Sequence, residues 1–220
     1  MFFMKKIYAI NGSPRSTGNT AEILYSALRG AAAHGASTAF IDLGNLKFSG
    51  CKSCFACKRK DSPCRGRCVL QDDLSGILDE IFEADAVIMG SPIYFGSESG
   101  LYRNALERIF FAPFQYTDPP STLAKKKVDF AFVYTMNVTP GLMDEYQYAE
   151  RLEQAHEFPV LVYNSAPPEV LYVCDTFQFS DYDLYESGMF DAEAKKEARQ
   201  KLFPQDLLKA YELGKKLALS

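Results

Sequence analysis

Two groups of residues in this chain could do chemistry. The first is Asn11-Gly12-Ser13-Pro14-Arg15-Ser16-Thr17-Gly18-Asn19-Thr20, which follows an apolar run at 7–10 and opens a helical pattern. The first backbone amides of a helix have no partners within it, and the helix dipole adds partial positive charge at that end. Ser13, Ser16, Thr17 and Thr20 can donate hydroxyl hydrogen bonds, and Arg15 can grip an oxyanion with two parallel ones. Gly12 and Gly18 let the backbone approach closely. Residues of these types in this order make a phosphate-binding loop. The Gly-Lys-Ser/Thr ending of nucleotide-hydrolysing loops is missing, as is the G-x-G-x-x-G of dinucleotide folds, so both chemistries are disfavoured.

The second group is Cys51-x2-Cys54-x2-Cys57-x6-Cys64-x3-Cys68, five of the six cysteines in one short segment. Two consecutive x2 spacings place three thiolates around one centre, as in four-iron clusters, whereas zinc sites more often use two separated pairs. The proline that follows the last cysteine in bacterial ferredoxins is absent, and one cysteine is surplus under either arrangement. A cluster, a zinc site and free thiols all stay open on spacing alone. The segment is basic: Lys52, Lys58, Arg59, Lys60, Arg65 and Arg67 outnumber Asp61. Such a patch can offset thiolates or attract phosphates. Cys174 stands apart in an apolar run and reads as a small buried hydrophobe.

These groups need elements to position them. Apolar runs at 6–11, 38–43, 86–90, 128–135 and 170–174 read as strands, and the third and fourth are continuous enough to be covered on both faces. Between them, Ala21, Leu24, Ala27, Leu28 and Ala31 share one helical face, as do Leu74, Ile77, Leu78, Ile81 and Phe82, and Leu101, Ala105, Leu106 and Ile109. This alternation predicts a doubly wound parallel α/β sheet. Residues 142–157 read as helical and 159–163 as irregular. The tail 191–219 reads as a helix broken at Pro204, which starts a second one. The domain expected is 1–180 with a Cys-rich insertion at 48–71, extended by helices over 181–220.

In such sheets ligands lie at the carboxyl ends of the strands. Beside the phosphate loop, two further loops qualify there. Ser91, Pro92, Ile93, Tyr94, Phe95 and Gly96 suit a flat, partly apolar ring. Thr135, Met136 and Asn137 follow the fourth strand. His34 and His156 read as surface or packing residues, and no acid–base pair presents itself. Carboxylates such as Asp72-Asp73 look like a helix start.

Gly12-Ser13-Pro14-Arg15 with Gly18-Asn19-Thr20, and Ser91-Pro92-Ile93-Tyr94-Phe95-Gly96, resemble the flavodoxin-like NADPH-dependent FMN reductases, including the iron–sulfur flavoproteins. The likeness runs over about residues 5–111. It implies a five-stranded sheet of order 2-1-3-4-5, FMN at the strand ends, and a homodimer or homotetramer. By position, Ser13, Arg15, Thr17, Gly18, Asn19 and Thr20 would hold the FMN phosphate. Pro92 to Gly96 would frame the ring, with Thr135 to Asn137 at its other edge. The iron–sulfur members share the compact cysteine arrangement, which implies Cys51, Cys54 and Cys57 with Cys64 as ligands of a four-iron cluster. Reductases without a cluster resemble the same segment, including Cys68 followed by Asp72-Asp73.

The expected function is an FMN-dependent NAD(P)H oxidoreductase, with NAD(P)H as co-substrate. It would pass electrons to a quinone, a nitro- or azo-aromatic, free flavin or a metal acceptor. The alternatives are an electron carrier or redox sensor without turnover, and a zinc-stabilised binding module. The partner is then a small-molecule or protein electron acceptor. A net charge of -4 argues against nucleic acid, and no apolar run reaches membrane-spanning length. The start of the chain is too short for a signal peptide, which predicts a cytoplasmic protein. Tyr102, Phe110 and Phe111, in addition to its core face, give the third helix apolar surface to spare for a partner subunit.

Overall fold

A computed structural model describes residues 4–220. Residues 1–3, part of the start read above as too short for a leader, lie outside it. The apolar runs form β1 (Lys6–Asn11), β2 (Ser37–Asp42), β3 (Ala86–Tyr94), β4 (Asp129–Thr135) and β5 (Glu169–Val173). They make one parallel sheet in the order β2-β1-β3-β4-β5, the flavodoxin-like order. The helices are α1 (Asn19–Ala33), α2 (Ser75–Phe82), α3 (Gly100–Phe111), α4 (Pro140–Glu145), α5 (Tyr148–Glu153), α6 (Glu157–Tyr163), α7 (Ala192–Lys201) and α8 (Phe203–Leu219).

The sheet is covered on both faces, which is why its central strands are apolar throughout. On one face, Ile7, Ala9 and Ile88 pack against Ile23, Leu24 and Ala27 of α1 and Leu213 of α8. On the other, Val87, Met89, Phe130 and Phe132 pack against Leu78 of α2, Ile109 of α3 and Val162 of α6. Each of the larger of these side chains, such as Ile7, Ile23 or Phe132, contributes about 1.5–3 kcal/mol relative to exposure. Helices α1 and α8 meet backbone to backbone. A Cβ on Gly30 would sit 1.9 Å from the Tyr211 carbonyl oxygen, and one on Gly214 1.8 Å from that of Ala27.

Several sequence expectations need correction. Residues 159–163 are helical, not irregular. Pro159 sits in the first turn of α6, where a proline lacks nothing because that amide has no intrahelical acceptor. Residues 142–157 are not one helix, since Gln147 takes a left-handed conformation (φ 54°) between α4 and α5. The stretch 91–94 is strand rather than loop: β3 pairs with β4 as far as Pro92 opposite Thr135, then pairs antiparallel with Ser97–Glu98. Tyr102 and Phe110 are not spare surface. Both are buried in the core, and only Phe111 of the three is half-exposed. Pro204 falls in the first turn of α8, as its sequence position implied.

Candidate functional site

The loop between β1 and α1 is held by short polar side chains. Asn11 accepts from the Ser13 amide at 3.1 Å and donates to Asp42 at 3.1 Å and to the Arg15 carbonyl at 3.2 Å. The Ser13 hydroxyl accepts from the Arg15 amide at 3.1 Å. Gly12 donates to the Gly90 carbonyl at 2.8 Å, and a Cβ there would lie 2.7 Å from that of Tyr102, so only glycine fits. The N-cap of α1 is Gly18, which has no side chain to satisfy the first turn. Those amides keep their hydrogens for an acceptor beyond the helix.

Above this turn lies a cavity of about 310 Å³, the size of a cofactor cleft. Ser13, Arg15, Thr17, Gly18, Asn19 and Thr20 line its base. Pro92, Ile93 and Tyr94 from the end of β3, and Thr135, Met136 and Asn137 from the end of β4, line its sides. The remaining expected residues stand off the wall. Ser16 is exposed. Ser91 is buried, with its hydroxyl engaged by the Pro92 carbonyl and the Ser99 amide. Phe95 is fully exposed, and Gly96 forms the adjoining turn with φ 78°.

The sequence reading missed the far wall. Thr176 to Ser180, just after β5, close the cavity opposite the phosphate loop, and Glu22 and Arg199 also reach it. Arg15 Nη1 donates to the Gln178 carbonyl at 3.0 Å and Asn19 Nδ2 to that of Phe177 at 2.9 Å. Phe179 stacks on Tyr185 at 4.3 Å, which fixes the segment. Asn137 donates to Gln178 Oε1 at 2.8 Å, while its own Oδ1 is buried and unpartnered. A buried acceptor without a donor is costly. Buried Lys195 anchors the backbone behind it, donating to the Asn137 carbonyl at 2.5 Å and to Asp175 at 2.6 Å.

The residues fit FMN. The base offers free amides, hydroxyls and a guanidinium to a phosphate. The sides offer a proline, an aliphatic and an aromatic side chain to a ring, and an orphaned amide oxygen to a ring N–H. No side chain here is poised as an acid or base. His156, outside the cavity, is buried and stacked on Phe132 at 4.7 Å, and burial pushes its pKa down. Its partner Tyr134, 3.1 Å away, is pushed up by burial. Cys174 packs half-buried beside Met143, and burial pushes its thiol up to about 11.

The cysteine segment folds over the end of α3. Cys51, Cys54, Cys57 and Cys68 line one small cavity with Leu70, Arg108 and Phe111. Cys64, expected as the fourth ligand, is not on that wall. Among the described residues the thiols do not converge as a single-ion site. A four-iron cluster asks for a different arrangement, four thiolates surrounding it, each on its own iron. Four thiols on one wall are the right number and type of donor for it. The Ser53 amide donates to Cys51 Sγ at 3.4 Å, and Lys58 beside Cys57 donates to the carbonyls of Phe111 and Phe114, capping α3. Burial pushes the Cys57 thiol up and the Lys58 ammonium down. Gly66, at φ 81°, donates to the Cys57 carbonyl and brings Cys68 round.

A sequence profile described as NADPH-dependent FMN reductase matches residues 5–163. The chain belongs to that family. Its curated relatives include an iron–sulfur flavoprotein of Methanocaldococcus jannaschii, 38% identical over 103 residues, and one of Archaeoglobus fulgidus, 34% identical over 103 residues. These alignments cover 47% of this chain, with 51% of the first relative and 48% of the second, so about half of each relative's length is spanned. Among solved structures, an NAD(P)H:quinone oxidoreductase from Methanothermobacter marburgensis superposes with a TM-score of 0.70 at 12% identity, covering 97% of this chain and 99% of that one. An FMN-dependent NADH-azoreductase from Bacillus anthracis, solved with FMN, gives 0.65 at 12%, covering 98% and 100%. At such identity the superpositions establish the shared fold. No helix among the described residues of this family member is long and apolar enough to cross a membrane.

Proposed function

We propose that this member of the FMN reductase family is an NAD(P)H oxidoreductase that binds FMN in the cavity at the strand ends. The observation that carries the reading is the convergence there of an uncapped helix N-terminus, Arg15 and the unpartnered Asn137 Oδ1. Bound FMN would accept hydride from NAD(P)H and hand electrons on to a quinone, a nitro- or azo-aromatic, free flavin or a metal acceptor. The chain's own part is binding and orientation: the base of the cavity holds phosphate, while Pro92, Ile93 and Tyr94 bound the ring.

The reading includes a four-iron cluster held by Cys51, Cys54, Cys57 and Cys68. Cys68 replaces Cys64 in the ligand set because it shares a cavity wall with the other three. The names of the curated relatives support the cluster, and so does Lys58, a cation placed to offset thiolate charge. Exposed Tyr94 on the cavity wall, with fully exposed Phe95 next to it in the chain, supports a homodimer or homotetramer in which a second copy covers the ring.

The test is a visible spectrum and iron content on protein purified without oxygen, before and after NADPH. Flavin bands that bleach, with about four irons per chain, are expected. Bleaching without iron would remove the cluster from the reading. Failure to take up FMN would overturn the whole of it. If the ligand set is right, Cys68→Ser loses the iron and Cys64→Ser keeps it.

A further inference from the structure

Glu22 is out of place for a phosphate site. It lies in the first turn of α1 and its side chain reaches the cavity wall. A carboxylate suits a bare helix N-terminus but repels a phosphate bound there. Arg199 of α7 lies against it. Its Nη2 donates to both Glu22 carboxylate oxygens, at 2.8 and 2.7 Å, and its Nη1 donates to Asn19 Oδ1 at 3.2 Å. The guanidinium rests 3.9 Å over the Phe203 ring, which fixes its position. The Asn19 amide nitrogen, its donor side, is thereby turned to the Phe177 carbonyl. Arg199 and Phe177 both lie outside the 5–163 span that the family profile matches, so family membership does not account for them.

We infer that Arg199 is a positioning residue for the phosphomonoester of the bound flavin. It neutralises Glu22, which leaves Arg15 as the unopposed cation at the loop, and it sets the orientation of Asn19. The far end of the chain thus sets the charge of a site built by its beginning. This rests on the FMN reading above and adds to it a specificity: the enzyme prefers a phosphorylated flavin over the bare one through a residue that need not touch the phosphate.

The test is titration of the apoprotein with FMN and with riboflavin, followed by flavin fluorescence. Arg199→Gln is expected to weaken FMN about tenfold by exposing the Glu22 charge, and riboflavin less than about twofold. The double variant Glu22→Gln/Arg199→Gln should return FMN affinity to within about threefold of the unaltered protein. Glu22→Gln alone keeps the Phe203 contact and should tighten FMN but not riboflavin. It therefore reads the electrostatics even where Arg199→Gln folds poorly. Equal losses for both flavins, or no rescue in the double variant, would make Arg199 a packing clasp and overturn the inference. Unchanged FMN affinity in Arg199→Gln would overturn it as well. If the unaltered protein binds neither flavin, the FMN reading itself falls and this inference with it.

Discussion

Arg108 and Asp72 form an ion pair, Nη1 to Oδ2 at 2.5 Å, with the guanidinium buried and the carboxylate half-buried, and it ties both ends of the cysteine segment to α3. The same guanidinium donates to the Ser49 carbonyl before the segment and to the Leu70 carbonyl after it. Arg108 has no exposed side-chain surface, so nothing in solvent can replace it. Arg108→Met should cost about 1–3 kcal/mol, the penalty for leaving the Ser49 and Leu70 carbonyls without their donor. Urea unfolding checks the stability. Faster labelling of the native thiols by a disulfide reagent checks that the loop has lost its anchor.

Acid should destabilise the protein in two steps. His156 has a folded pKa depressed by burial, so its neutral form is favoured in the fold. That contribution is full above the unfolded value of about 6.5 and is lost as pH falls below it toward the folded value. Burial by itself would raise the Asp72 carboxyl, but the Arg108 guanidinium and two backbone amides overcome this and hold it low. Asp85 behaves likewise, with Lys126 and the Lys6 amide. Their stabilisation is full above the unfolded value of about 3.9 and is lost as pH falls through the folded values. Melting temperature against pH should fall in both windows. His156→Gln should flatten the first and Asp72→Asn the second.

Arg15 is exposed and makes one backbone contact across the cavity, to the Gln178 carbonyl. Arg15→Ala should weaken FMN binding by about 1.5–3 kcal/mol, the range for a hydrogen bond to a charged group. Riboflavin affinity should hold. Unchanged FMN affinity would remove the phosphate from this loop.

Glycine-to-alanine substitutions should separate packing from propensity. Gly30→Ala forces a methyl into the Tyr211 backbone and should destabilise by about 1–3 kcal/mol as the helices part. Gly76→Ala in α2 meets nothing within 4 Å. It should stabilise by about 0.4–1 kcal/mol through the unfolded chain. Chemical denaturation of the two variants measures both.

What was legible in the sequence follows from range. The strands showed as apolar runs because a parallel sheet buries both faces. The phosphate loop showed because its donors are consecutive. Pro159 misled because proline reads as a breaker, although the first turn of a helix accepts it. The extension of β3 past Gly90 was hidden because Ser91-Pro92 looks like a turn. Arg199 and the 176–180 wall carry no local signal, since their meaning comes only from contact with Glu22, Asn19 and Arg15. The resemblance pointed to Cys64 as the fourth thiolate, and the turn at Gly66, which brings Cys68 to the wall shared by the other three, has no signature in the spacing.

The backbone contact between α1 and α8 has a consequence for how this sequence can change over time. Gly30 and Gly214 each face the other helix's main chain with no room for a methyl group. Neither position can drift alone, because a side chain at one pushes away the helix that carries the other. The helix whose first turn faces the cavity has thus inherited a constraint from the end of the chain. Among descendants of this sequence the two positions should be retained or replaced as a pair, and grafting the first half onto another scaffold would require carrying α8 with it.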